Sequence, residues 1–146
     1  RNEEKRLVKS PKIYLSDTGL VMHLRGMDES HLMDPSKAGF IIENFVVMEL
    51  KKQQAWSETL PSLYHFRTSS GQKVDIVLEA PDGRMVGVEC KSSGEVNAYD
   101  FAGMRELAAL AGEKFHRGIV VYTGRETVSF GTTFTAMPIS ALWQIS

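Results

Sequence analysis

Three side chains near the middle of the chain, Asp75, Glu89 and Lys91, have the types and the spacing of a phosphate-handling metal site. Asp75 lies in Lys73-Val74-Asp75-Ile76-Val77-Leu78, and the other two lie in Val86-Gly87-Val88-Glu89-Cys90-Lys91. Pro81-Asp82-Gly83 between these runs is a turn signal, so the runs read as the strands of a hairpin. A three-residue loop with Gly83 in the left-handed position pairs Ala80 with Arg84, Leu78 with Val86, Ile76 with Val88 and Val74 with Cys90. That register gathers the apolar set on one face. The other face holds Val77 opposite Gly87, Asp75 opposite Glu89 and Lys73 opposite Lys91. A slip of one residue would set Asp75 against Cys90 and scatter the apolar residues over both faces, which disfavours it.

Directly opposed side chains lie about 4.5–5.5 Å apart at Cβ. Two carboxylates at that separation repel each other unless a proton or a cation sits between them, and a hard divalent ion is well matched to their oxygens. Lys91 follows Glu89 by two positions, on the same face and about 6–7 Å along the strand. Its ammonium could there stabilise charge on an attacking hydroxide or on a phosphoryl oxygen. Gly87, with no side chain, would leave room for a substrate. The alternative is a solvated strand face with a cross-strand ion pair, and spacing alone leaves both readings open.

The elements that must position these residues follow from periodicity. The segment from about Ser36 to Gln54 is a helix nearly encircled by Phe40, Ile41, Ile42, Phe45, Val46, Val47, Met48 and Leu50, so it should be buried on more than one side. Glu43 sits among Phe40, Val46 and Val47, where an ionised group needs a partner. If this helix packs on the polar face of the hairpin, Glu43 becomes a third oxygen donor. Otherwise it is a partly exposed helix glutamate.

Strands are expected over Leu63 to Thr68, Lys73 to Ala80, Arg84 to Ser92, Arg117 to Thr123 and Val128 to Phe134. A second helix spans about Tyr99 to Ala111, and a short one starts after Pro138. Upstream, Lys12 to Leu15 reads as a short strand and Thr18 to Leu24 as a short helix. The order α-β-β-β-α-β argues an α/β fold with a mixed sheet flanked by helices.

At 146 residues the chain suits one ordinary domain, and 42% hydrophobic with 24% charged residues is globular composition. No apolar run approaches a membrane span, and Cys90, the single cysteine, fits a reducing cytoplasm. The net charge of −1 weighs against a large electrostatic nucleic-acid interface. Charge is uneven, however. Arg1, Lys5, Arg6, Lys9 and Lys12 stand against Glu3 and Glu4 in the first twelve residues, as a solvated linker or a basic arm that touches phosphate. The four histidines are too scattered for a zinc site, and no phosphate-cradling glycine loop is present.

The run Val74-Asp75-Ile76-Val77-Leu78 followed by Val88-Glu89-Cys90-Lys91-Ser92 resembles the D…ExK core of the PD-(D/E)XK, or restriction-endonuclease-like, superfamily. Gly39 to Leu50 resembles that superfamily's first core helix, with its acidic residue at Glu43. More narrowly, Lys12-Ile13-Tyr14-Leu15-Ser16-Asp17-Thr18-Gly19-Leu20, Gly39…Glu43-Asn44 and Ala141-Leu142-Trp143 resemble an uncharacterised domain at the C-terminus of bacterial and archaeal AAA+ ATPases. The resemblance implies a restriction-endonuclease-like core over 36–146. Residues 1–35 would be the tail of a preceding winged-helix region, with an AAA+ module of the same chain as partner. It also implies Mg²⁺- or Mn²⁺-dependent phosphodiester hydrolysis on DNA, with Asp75, Glu89 and Glu43 as metal ligands and Lys91 beside the nucleophilic water. A non-catalytic docking or regulatory module of the ATPase is the other reading. One departure stands out: the ATPase-linked family usually has an acidic residue two positions before the aspartate, where this chain has Lys73.

Overall fold

A computed structural model describes residues 5–8, 35–56 and 61–143. Alternating apolar residues build a mixed sheet of seven strands: β1 (Lys5–Val8), β2 (Ser62–Thr68), β3 (Lys73–Glu79), β4 (Met85–Lys91), β5 (Phe115–Tyr122), β6 (Val128–Ser129) and β7 (Phe134–Pro138). Their spatial order is β1-β2-β3-β4-β5-β7-β6. The strands from β1 to β4 form an antiparallel meander, and β4, β5 and β7 run parallel. Helix α1 (Pro35–Trp56) and helix α2 (Ala102–Ala111) supply the apolar faces that cover the sheet. The chain is thus a mixed α/β domain, as its element order predicts.

Two apolar clusters divide the core. Ala38, Ile42, Val46 and Val47 of α1 pack on Ile76, Val88 and Val121. Met104 and Leu107 of α2, with Phe101 just before it, pack on Phe66, Val77 and Val120. Among the described side chains of α1, Ala38, Ile41, Ile42, Asn44, Val46 and Val47 are buried. They fall on more than one side of the helix, as its encircling apolar pattern requires.

Three expectations change. Lys5–Val8, inside the stretch read as a linker or basic arm, is an edge strand antiparallel to β2. Its backbone satisfies the N–H and C=O groups that the outer edge of β2 would otherwise leave open. The expected strand over Val128 to Phe134 is a hairpin instead, with β6 and β7 antiparallel and the Phe130 N–H bonded to the Phe134 carbonyl at 2.9 Å. Gly131 takes φ 114° in that turn, a conformation that favours glycine. Helix α1, finally, packs on the apolar face of the β3–β4 hairpin and not on the face that holds Glu89 and Lys91. Burying Ile42, Val46 and Val47 against Ile76 and Val88 removes far more apolar surface from water than the polar face could. The expected strand over 12–15 and helix over 18–24 lie outside the described residues. None of the described helices is long and apolar enough to cross a membrane.

Candidate functional site

The hairpin follows the expected register through Ile76–Val88, Val77–Gly87 and Leu78–Val86. Beyond Ile76–Val88 the backbone ladder gives way to side chains. The Asp75 N–H donates to Glu89 Oε1 at 2.9 Å, and the Cys90 N–H donates to Asp75 Oδ2 at 2.9 Å. Each carboxylate thus takes the place of a carbonyl, and this accounts for two backbone donors that would otherwise be orphaned. The cause lies on the other edge of β3, where the pairing with β2 shifts register between Tyr64 and Phe66. That irregularity also carries Val74 into the α2 cluster instead of the α1 cluster its alternation predicts.

Asp75 is 5% exposed, an ionisable group nearly sealed from water. Its charge is compensated by Lys73, whose Nζ lies 2.7 Å from Asp75 Oδ1 and 3.9 Å from Glu89 Oε1. Burial strongly disfavours a second negative charge, and the neighbouring Asp75 adds to that, so the Glu89 carboxyl is pushed up to about 9. Burial also opposes ionisation of Asp75. Hydrogen bonds from Glu89, from Lys73 and from the Cys90 N–H outweigh it, and its carboxyl lies below the usual range. The pair therefore shares one proton, favoured on the Glu89 side, and one negative charge. Lys73 is raised despite its own burial because Asp75, Glu89 and the more distant Glu43 all favour its charged form.

Lys91 points elsewhere. Its Nζ is 2.7 Å from Asp100 Oδ2, in the 3₁₀ turn Ala98–Phe101 that leads into α2. The same Asp100 oxygen accepts the Asn97 N–H at 2.8 Å, and Asn97 Oδ1 accepts the Tyr99 N–H at 2.9 Å, which closes a capping box. Gly103 lets this turn approach β3: a Cβ there would lie 1.9 Å from the Lys73 carbonyl oxygen. Gly87, expected to open space for substrate, instead lies under Leu107 and Met104 of α2, within 3.5 Å of where its Cβ would be.

Between the carboxylate pair and the 3₁₀ turn lies a cleft of about 330 Å³. Lys73, Glu89, Lys91, Tyr99 and Asp100 line it, while Asp75 sits behind its wall. Glu43 is half-buried on α1, close enough for its charge to act on Lys73 and Cys90. Among the described residues no group of three His, Cys, Asp or Glu side chains is gathered to hold a metal. Cys90 packs at the margin of the α1 cluster, as its alternation predicts, and burial pushes its thiol well up, so it is a poor nucleophile.

Asp100, Tyr99 and Gly103 were not singled out from the sequence. The Asn97-x-x-Asp100 spacing was the legible signal for the first, since it is that of a capping box. Lys73 was visible, but its position opposite Lys91 did not reveal that it would turn onto Asp75.

Two curated relatives are each 32% identical to this chain over 138 residues: the uncharacterized proteins Rv2008c of Mycobacterium tuberculosis and Mb2031c of Mycobacterium bovis. The match takes in 94% of this chain but only 29% of each relative's length. No solved structure matches. Residues 38–142, which include α2, all but the first three residues of α1 and every residue of the cleft, match a family described as a domain of unknown function, DUF4143, and the chain belongs to that family.

Proposed function

We propose that this chain is a restriction-endonuclease-like module of a longer AAA+ ATPase, which binds a divalent metal at Asp75 and Glu89 and cleaves nucleic acid in the adjacent cleft. One observation carries the reading: Asp75 and Glu89 converge where the β3–β4 ladder breaks, with a cation, the Lys73 ammonium, already on them. The matched region is 29% of the relatives' length, which leaves them room for an ATPase module.

The residues present fit Mg²⁺ or Mn²⁺. Mg²⁺ is commonly bound by one or two carboxylates, keeping water and substrate phosphate as its other ligands, so a third protein carboxylate is not required. Lys73 acts as the stand-in cation and marks where positive charge is stabilised. A bound ion would polarise a phosphoryl oxygen and make hydroxide available near neutral pH. The chain's own residues do the rest. Glu89 must give up its proton for both carboxylates to serve, and Lys73 must leave Asp75, free then to meet phosphate from the cleft wall. Asp100 holds Lys91 on the same wall, where its ammonium can offset charge that develops on the phosphoryl group. Glu43 contributes field and not an inner ligand in this reading.

A specific observation favours a second reading. Lys73 at 2.7 Å already neutralises Asp75, so the domain is electrostatically complete without metal and could serve as a docking or regulatory module. Calorimetric titration of the full-length protein with Mg²⁺ or Mn²⁺ separates the two. The nuclease reading expects binding that releases about one proton, read as a dependence of the heat on buffer ionisation, and that is lost in Asp75→Asn. Absence of uptake by the wild type up to millimolar metal, with DNA and RNA left uncut, would establish the docking module instead.

A further inference from the structure

The lip of the cleft carries an aromatic ring that stands almost wholly in solvent. Tyr99 is 88% exposed, the most exposed large hydrophobic among the described residues, although its turn is held by several hydrogen bonds. Phe101, two residues on, is fully buried and contacts Phe130 and Phe134 at ring-centroid distances of 5.0 and 5.4 Å. Asn97 caps the turn, Lys91 grips it through Asp100, and Arg105 Nη1 donates to the Ala98 carbonyl at 2.7 Å. A rigid turn thus displays a ring with both faces in solvent, at the lip of a cleft whose wall carries the Lys73 and Lys91 ammoniums. A structural tyrosine would bury part of its ring; this one is held out.

We infer that Tyr99 is a stacking platform for one unpaired nucleobase, whose flanking phosphates meet Lys73 and Lys91, so that the cleft takes single-stranded rather than duplex nucleic acid. The inference deepens the nuclease reading and rests on it. A cleft of about 330 Å³ has room for about one nucleotide and excludes a double helix. The charge balance points the same way. Glu89 and Asp100 line the wall beside the two lysines, and the whole chain carries −1, so phosphate contacts cannot supply most of the affinity. A base stacked on an aromatic side chain supplies affinity independent of net charge. The ring pays little ordering cost on binding, because its turn is already fixed.

The test measures binding of a fluorescein-labelled single-stranded DNA 12-mer to the full-length protein in millimolar Ca²⁺. This hard cation can take the carboxylates and free Lys73 but is a poorer Lewis acid than Mg²⁺, so that binding is read apart from cleavage. Tyr99→Ala is expected to weaken binding by about 5- to 160-fold, the loss of one base stacked on an aromatic side chain. Tyr99→Trp restores it, and the melting temperature of either variant stays that of the wild type because the ring is 88% exposed. A 12-mer with abasic sites binds the wild type as weakly as Tyr99→Ala does, and duplex competes poorly. Equal affinity of wild type and Tyr99→Ala for the intact strand overturns the stacking role and leaves the nuclease reading standing. Failure of the wild type to bind any nucleic acid overturns both.

Discussion

The β3–β4 hairpin contains two regions built on opposite principles. From Ile76–Val88 to Glu79–Met85 the strands are joined by their backbones, and alternate side chains enter the α1 and α2 clusters. From Asp75 to Cys90 they are joined by carboxylates that receive backbone N–H groups, and the balance of charge replaces apolar contact. The first region is held by burial, a term that depends little on pH or salt. The second is held by ionisable groups around a buried Asp75, where each partner's protonation state matters. Among the described residues, Asp75 and Glu89 come close enough to compete for a proton where the ladder fails.

Three perturbations probe that contrast. The largest effect is expected in the apolar region: Ile76→Ala, at a residue 2% exposed and in contact with α1, should cost about 2–5 kcal/mol in a denaturant titration. It should leave the coupled titration of the carboxylate pair intact, as read by carboxyl ¹³C NMR. A change in that titration would mean the two regions are not separable.

The second perturbation is pH. Glu89 has a raised value in the fold, so its contribution to stability is fully present below its ordinary 4.5 and is lost as pH rises toward about 9. Asp75 has the opposite sign: its contribution is present above its ordinary 3.8 and is lost as pH falls through its lower folded value. Metal-free unfolding free energy should therefore decline between about pH 5 and 9, with a slope no steeper than about 1.4 kcal/mol per pH unit for one proton. Glu89→Gln, which keeps an oxygen for the Asp75 N–H, should flatten that decline. Persistence of the slope in the variant would assign it to another group.

The smallest effect concerns the turn that grips Lys91. Asp100→Ala removes a capping-box partner and should cost about 0.5–2 kcal/mol. Its sharper readout is the Lys91 Nζ, whose acylation by a lysine-directed reagent, followed by peptide mass spectrometry, should accelerate once the 2.7 Å ion pair is gone. An unchanged rate would show that Asp100 does not hold the ammonium.

What the sequence determined by itself was the part governed by local pattern. Alternation in Lys73–Ala80 and Arg84–Ser92, with Pro81-Asp82-Gly83 between them, set the hairpin register, because a one-residue slip would have exposed the whole apolar set. The helical run beginning near Ser36 and the neighbourhood of Asp75 and Glu89 followed from the same kind of argument. Tertiary structure alone decided which face α1 would cover, since apolar residues nearly encircle that helix and its own sequence expresses no preference. It decided too that Lys73, not Lys91, would neutralise the carboxylates. That choice depends on the β2–β3 register shift, and on a capping turn that draws Lys91 away to Asp100, brought close by Gly103. Contacts between residues distant in sequence, each set by how two elements pack, leave no periodic trace in the chain, whereas a strand's alternation is written into every second residue.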